Sequence, residues 1–308
     1  MKIQLGCGDC YKKGFVNIDY YDKSVADQIM PSTKLTFKDN SISLAEANYF
    51  LEHLSYVDCY RTIEEIYRVL IPNGAFLLKV PNYEKIVREW LKQNNRQKWR
   101  SKWSIQIWGG QWHVGHFHKI GFSPYRLRNM LWRIGFREIE RVRMKVSQKR
   151  KDFPDDSAYS ITFRCYKHIL TRMELKEKYL SCANEFFEYG FRKEGVTYLK
   201  KVQKLEPDNP LILVKIGQMK LRDFLCGINK KSNLDERLPG LKRAFGYFVK
   251  AIEFDSSERF KRLVIKHMFF YNLHDGMNEK RGRSKEIYQC FKKIYPECDL
   301  IRIMKFML

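Results

Sequence analysis

Short apolar runs alternate with stretches of helical periodicity through the first half of this 308-residue chain. Runs at Ile3–Gly6, Phe15–Asp19, Ser43–Phe50 and Ala75–Val80 have the length and composition of strands. Between the last two, Ile63, Ile66, Val69 and Leu70 recur at helical spacing and predict a helix over about Asp58–Leu70, stopped at Pro72-Asn73-Gly74. A second helix is expected to start at Asn82 or Tyr83 and to carry Ile86, Val87, Trp90 and Leu91. A third, Pro124–Ile134, is closed by Gly135. Between these two lies an irregular, basic, Trp-rich segment. Strands near Glu138–Val146 and Tyr159–Tyr166 complete the pattern. This order predicts an α/β fold, a Rossmann-like, doubly wound and mostly parallel sheet with helices on both faces and a final antiparallel hairpin.

From about Ile169 the strand pattern stops. Residues 1–167 are therefore read as one domain and 168–308 as a second, all-α domain. The second contains an echo: "GVTYLKKVQKLEPDNP" (Gly195–Pro210), "AFGYFVKAIEFDSSE" (Ala244–Glu258) and "SKEIYQCFKKIYPE" (Ser284–Glu297). Each places a small residue, an aromatic or Leu four later, an apolar residue three after that, then a stop. This resembles the second helix of a tetratricopeptide repeat, with Ala183 and Gly217 at the small positions of first helices. The segment "CGINKKSNLDERLPG" reads as an insertion. The resemblance implies a helical surface for a protein partner.

Composition narrows the classes. Aromatic content of 15% and apolar content of 44% suit packed structure rather than disorder. No apolar run approaches the roughly 18 residues of a membrane span, and charged residues interrupt the N-terminal segment, so a cytoplasmic protein is expected. The eight scattered cysteines suit reduced thiols. The net charge of +23 is concentrated between Lys85 and Lys151, where eighteen Lys/Arg face three Asp/Glu. Such a block attracts anionic partners, or merely solvates a surface.

Gly6-Cys7-Gly8 ends the first run and Asp19 the second, where a nucleotide-binding sheet places glycines for close approach and an acid for a ribose diol. Downstream, Phe37-Lys38-Asp39-Asn40-Ser41, Leu51-Glu52-His53-Leu54, Arg68-Val69-Leu70-Ile71-Pro72-Asn73-Gly74 and Val80-Pro81 follow in order. This succession resembles class I S-adenosylmethionine-dependent methyltransferases of the type 11 kind. "GGQWHVGHFHKIGF" resembles a branch associated with sugar and cell-surface glycan methylation.

The resemblance covers about residues 1–166. It implies S-adenosylmethionine as cofactor, held by Gln4, Gly6, Cys7, Gly8, Asp19, Asp39 and Asn48. It implies His118 as general base, with Tyr49 beside it at the methyl-transfer mouth. Trp108, Trp112, His113 and Lys119 would meet an anionic acceptor, a glycan or a nucleotide-sugar intermediate. Departures are visible: Gln4 stands where the family has an acid, Cys10 replaces a third glycine, and Asp9–Gly14 leaves no length for the usual first helix. Asp27 or Asp39 would stand in for the adenine-binding acid that the resemblance leads one to expect before Phe37. Cys7-x-x-Cys10 lacks the further ligands of a zinc site, and His113, His116 and His118 lack a carboxylate partner, so no metal is expected. A degenerate scaffold working through its helical repeats is one alternative. RNA methylation, suggested by the basic block, is another, although no RNA-binding module is recognisable and nucleic acid is not favoured.

Overall fold

The computed structural model describes residues 1–94, 102–112, 114–142, 159–226, 234–269 and 287–307. The chain divides into two compact units, Met1–Thr171 and Arg172–Leu308.

The first unit is built on seven strands: β1 (Lys2–Leu5), β2 (Val16–Asp19), β3 (Gln28–Ile29), β4 (Ile42–Asn48), β5 (Leu70–Pro81), β6 (Phe136–Arg141) and β7 (Ser160–Lys167). They lie in the order β3-β2-β1-β4-β5-β7-β6. Neighbours run parallel from β3 to β5, and β7 is antiparallel to both β5 and β6. Of the predicted strand Glu138–Val146, residues 143–146 lie outside the described residues.

Helices follow only β4 and β5 among the described residues: α1 (Tyr56–Val69), α2 (Tyr83–Leu91), α3 (Lys102–Trp108) and α4 (Pro124–Ile134). Local chemistry fixes their ends. Ser55 caps α1 by accepting from the Asp58 amide, and Ser123 caps α4 by accepting from the Arg126 amide. Gly135, at φ 116°, closes α4. The buried stripe of α1 includes Cys59, Tyr60, Ile63, Ile66 and Val69.

The crossovers from β1 to β2 and from β2 to β3 carry no helix, and the sheet records this in its side chains. One face presents Ile3, Leu5, Ile18, Ala45, Ala47, Phe76 and Leu78, all buried. On the other face the register sets Gln4 between Asn17 and Glu46. These three are polar yet buried. The short loop after β1 pairs with them: Gln4 Nε2 donates to the Cys10 carbonyl at 3.3 Å, Lys12 Nζ pairs with Glu46, and Asn17 Nδ2 donates to the Lys12 and Phe15 carbonyls. A helix docked there would require an apolar face; a ten-residue loop with exposed backbone carbonyls requires donors instead.

The second unit is helical throughout its described residues: α5 (Arg172–Glu188), α6 (Arg192–Leu205), α7 (Pro210–Cys226), α8 (Leu234–Phe254), α9 (Glu258–Phe269), α10 (287–294) and α11 (Leu300–Met307). The three echoed segments coincide with α6, α8 and α10, except that residues 284–286 lie outside the described residues, as do 227–233 of the insertion. Ala183 is fully buried, and a Cβ on Gly217 would lie 3.1 Å from Tyr247 and 3.2 Å from Phe248. Small residues thus let α7 and α8 approach closely. No described helix is long and apolar enough to cross a membrane.

Candidate active site

The carboxyl ends of β1, β2 and β4 meet at the reversal of strand order, where an open α/β sheet binds its ligands. Gly6 and Gly8 leave β1 with φ of 63° and 53°. The Gly8 amide donates to Asp19 Oδ2 at 2.9 Å, clamping the turn to the end of β2. Asp19 Oδ1 accepts from the Tyr21 and Asp22 amides at 2.9 and 3.0 Å. Oδ2 keeps a further acceptor position. A Cβ on Gly6 would lie 2.3 Å from the Phe50 ring, whereas nothing lies within 4 Å of one on Gly8. Phe50 therefore roofs the first glycine, and the second faces open space. The Cys7 thiol is buried, and burial, reinforced by the Asp19 charge, pushes it up to about 11.

Two buried amide oxygens point to a missing donor: Gln4 Oε1 and Asn48 Oδ1 have no partner among the described residues. Orphaned acceptors of this kind are costly and call for a ligand group. After Asn48 the chain turns at Tyr49, a non-glycine residue at φ 52°, held by its amide donating to the Lys79 carbonyl at 2.7 Å, with Lys79 Nζ 4.8 Å above its ring.

The segment Leu51–His53 forms a 3-10 turn, and here the chain brings distant residues together. The Lys119 and Ile120 amides donate to the Glu52 carbonyl at 2.7 and 3.3 Å. This docks the strand-like segment after Gly109 against the turn and sets the His118 and His53 rings edge to face, 4.9 Å apart. His118 Nδ1 lies 3.0 Å from the Gln106 carbonyl and His53 Nδ1 lies 3.2 Å from the Phe117 carbonyl. A carbonyl only accepts, so each Nδ1 carries the hydrogen and each Nε2 the lone pair. Burial drives both imidazoles below their ordinary range, His53 to about 4 with help from His118. Both are neutral at pH 7. Glu52 is buried, neither carboxylate oxygen has a side-chain hydrogen-bond partner among the described residues, and burial, only partly offset by its own backbone amide, pushes its acid up to about 8.

The remaining sequence candidates fall as follows. Trp108 ends α3 with its ring half exposed, Trp112 is 73% exposed, and the Lys119 side chain is exposed. His113 lies outside the described residues. Asp39 is not brought to this site. It precedes β4 at the amino end of the strand and is paired with Arg68 at 2.6 Å. Asp27 is likewise engaged, accepting from the Asn17 amide and side chain. Glu52 and His53 are visible in the sequence through the "LEH" element, which leaves His53 open between a structural and a catalytic role, whereas Phe50 joins the site without a sequence signal.

Residues 15–78 match the family model described as a methyltransferase domain. That match lies within the first unit and spans its sheet from just before β2 into β5. Among solved structures, the chain is similar to a SAM-dependent methyltransferase from Methanosarcina mazei, at 18% identity, covering 55% of this chain and 92% of that one with a TM-score of 0.40. It is also similar to a chain of the complex between the Haloferax volcanii Trm112 methyltransferase activator and the putative methyltransferase (15% identity, 55% and 82% covered, TM-score 0.37). A third similar structure is a possible histamine N-methyltransferase from Thermotoga maritima (17% identity, 54% and 81% covered, TM-score 0.37). No curated protein matches the chain.

The residues present fit S-adenosylmethionine, the cofactor that the sequence resemblance implies. Gly8 opens onto space, Asp19 retains an acceptor position for a hydroxyl, and the two orphaned amide oxygens would take ammonium hydrogens. Replacing Asp19 with alanine removes the acceptor of three backbone amides as well as a ligand group. Its affinity for S-adenosylmethionine is expected to fall at least ~10-fold, the equivalent of one charge-assisted hydrogen bond, in a calorimetric titration.

Proposed function

We propose that this domain methylates a hydroxyl or amine of a sugar-containing acceptor, a glycan or nucleotide-sugar intermediate, at the mouth formed by Tyr49 and the His53–His118 pair. The observation that carries this reading is the pair of neutral imidazoles, each with Nε2 left as a lone pair, a short stretch of chain beyond the glycine turn and Phe50. S-adenosylmethionine supplies a methyl group on a sulfonium sulfur. Gln4, Gly8, Asp19 and Asn48 would hold it, and the residues around His118 would orient the acceptor oxygen or nitrogen in line with that methyl. Alignment provides most of the acceleration. The acceptor's proton would leave to the imidazole cluster, of which His118 Nε2 is one basic site. Half-exposed Trp108 and exposed Trp112 offer flat faces for a pyranose ring, and Lys119 offers a charge for a phosphate. The helical unit, with small residues packed as in tetratricopeptide repeats, would dock a protein partner.

The test uses the full chain with methyl-labelled S-adenosylmethionine and a panel of nucleotide sugars, phosphorylated oligosaccharides and RNA. Label is expected in a sugar-bearing acceptor and not in RNA; label confined to RNA, or no cofactor binding at millimolar concentration, overturns the proposal. With that acceptor, His118→Ala is expected to lower kcat about 10²–10⁴-fold while leaving cofactor affinity unchanged.

A further inference from the structure

We propose that Glu52, His53 and His118 form a binding site for one divalent transition metal of the zinc type. The ligand atoms of the three residues lie within 4.8 Å of one another. Tetrahedral ligands about 2.0–2.1 Å from zinc stand roughly 3.3 Å apart, so the set closes with small side-chain rotations. Three further features belong to a metal site rather than to a chance cluster. Each imidazole spends its Nδ1 hydrogen on a backbone carbonyl, Phe117 for His53 and Gln106 for His118. That is how metal-ligating histidines are oriented and how Nε2 is kept available. The carboxylate is buried with neither oxygen holding a side-chain partner, an arrangement that a dication would compensate and that no other side chain among the described residues does. Finally, the turn bearing Glu52 and the segment bearing His118 are locked together by the Lys119 and Ile120 amides. The donors are thus preorganised on two elements rather than left on one loop.

Two imidazoles and one carboxylate select zinc, cobalt, manganese or iron over magnesium and calcium, which require oxygen donors. Three protein ligands leave coordination positions open, as in catalytic rather than structural sites. Metal binding rests on the side-chain geometry alone. Only the use of the metal rests on the methyl-transfer reading: with His118 Nε2 on the metal, the ion would take over activation from the free imidazole, since an acceptor hydroxyl on an open position would lose its proton more readily.

The experiment is a Zn2+ titration of chelator-stripped full-length protein against a chromophoric competitor, without cofactor or acceptor, so it succeeds or fails independently of the methyltransferase reading. One equivalent is expected to bind. Glu52→Gln and His118→Ala, shown to be folded by circular dichroism, are each expected to weaken binding at least ~10-fold. No stoichiometric binding, or binding indifferent to both substitutions, overturns the proposal. Should a variant fail to fold, X-ray absorption of the zinc-loaded wild type decides. A nitrogen and oxygen shell with imidazole scattering supports the site, whereas a sulfur shell, indicating cysteines elsewhere, refutes it.

Discussion

Chelator-treated Glu52→Gln protein is expected to be more stable than the wild type at pH 8 and to match it near pH 4. The Glu52 carboxyl is fully enclosed and titrates at about 8 in the folded chain against an ordinary 4.5, because burial penalises its charged form. Between those values the unfolded chain has released the proton and the folded chain has not. The unfolded state binds fewer protons, so wild-type stability falls as pH rises across that window. Glutamine keeps the shape and never ionises. The difference between the two proteins therefore isolates this single group, and at pH 8 it should be on the order of 4 kcal/mol. For a domain of this size that corresponds to roughly 10 °C in melting temperature. His53 acts in the opposite sense: its folded value of about 4 lies below the ordinary 6.5, so its contribution is lost as pH falls from 6.5 toward 4. Both proteins share this histidine, and it cancels in the comparison. Melting curves of the two proteins from pH 4 to 9 measure the effect. Curves that run parallel throughout would show that Glu52 is solvated or paired, and the described enclosure would be wrong.

The parts of this molecule legible in the sequence are those set by local periodicity and local punctuation. Six of the seven strands, α1, α2 and α4 follow from apolar runs and periodicity, punctuated by Pro-Asn-Gly and Gly135. β3, two residues long, carries no periodicity, and α3 is hidden because Trp103, Ile105 and Ile107 alternate as in a strand. At the carboxyl ends of β1 and β2, the turn through Gly6 and Gly8 and its tie to Asp19 were legible because backbone conformation demands glycine there. Gln4 was legible only as a departure from a family pattern. Its reason is tertiary: with no helix over this face, Gln4, Asn17 and Glu46 form a polar row that binds a loop. Asp39 was misplaced for a related reason. A motif gives order along the chain, but the residue precedes β4 and sits at the opposite end of that strand from the site. The Glu52–His53–His118 cluster was least legible of all. Its halves are separated by α1, β5, α2 and α3, and two backbone hydrogen bonds into one carbonyl bring them together.

The same docking makes Gly109 the residue whose substitution should disturb the cluster most without touching it. Gly109 has φ of 81° and pairs in antiparallel fashion with Phe117. The neighbouring Trp108 carbonyl accepts from the His118 amide at 3.1 Å. A Cβ at Gly109 would stand 1.9 Å from the His116 carbonyl oxygen and 2.9 Å from the His118 amide nitrogen. Both are backbone atoms, so no side-chain rotation relieves the contact. Alanine must either abandon its left-handed conformation or part the two strands, and either movement carries His118 away from His53. Gly14→Ala is the control, since Gly14 has a similar φ of 83° but nothing within 4 Å of a Cβ. The control should cost only the left-handed conformation, about 1–2 kcal/mol. Gly109→Ala should cost more than that, and denaturant unfolding of the pair measures the difference. The readout specific to the cluster is histidine titration by nuclear magnetic resonance. The value of about 4 for His53 depends on burial and on the facing His118 ring. In Gly109→Ala it should rise toward the ordinary 6.5, while in Gly14→Ala it should stay where it is. A His53 resonance unmoved in both variants would mean that the Gly109 hairpin does not position His118, and the assembly of the cluster would have to be sought in the Lys119 and Ile120 contacts alone.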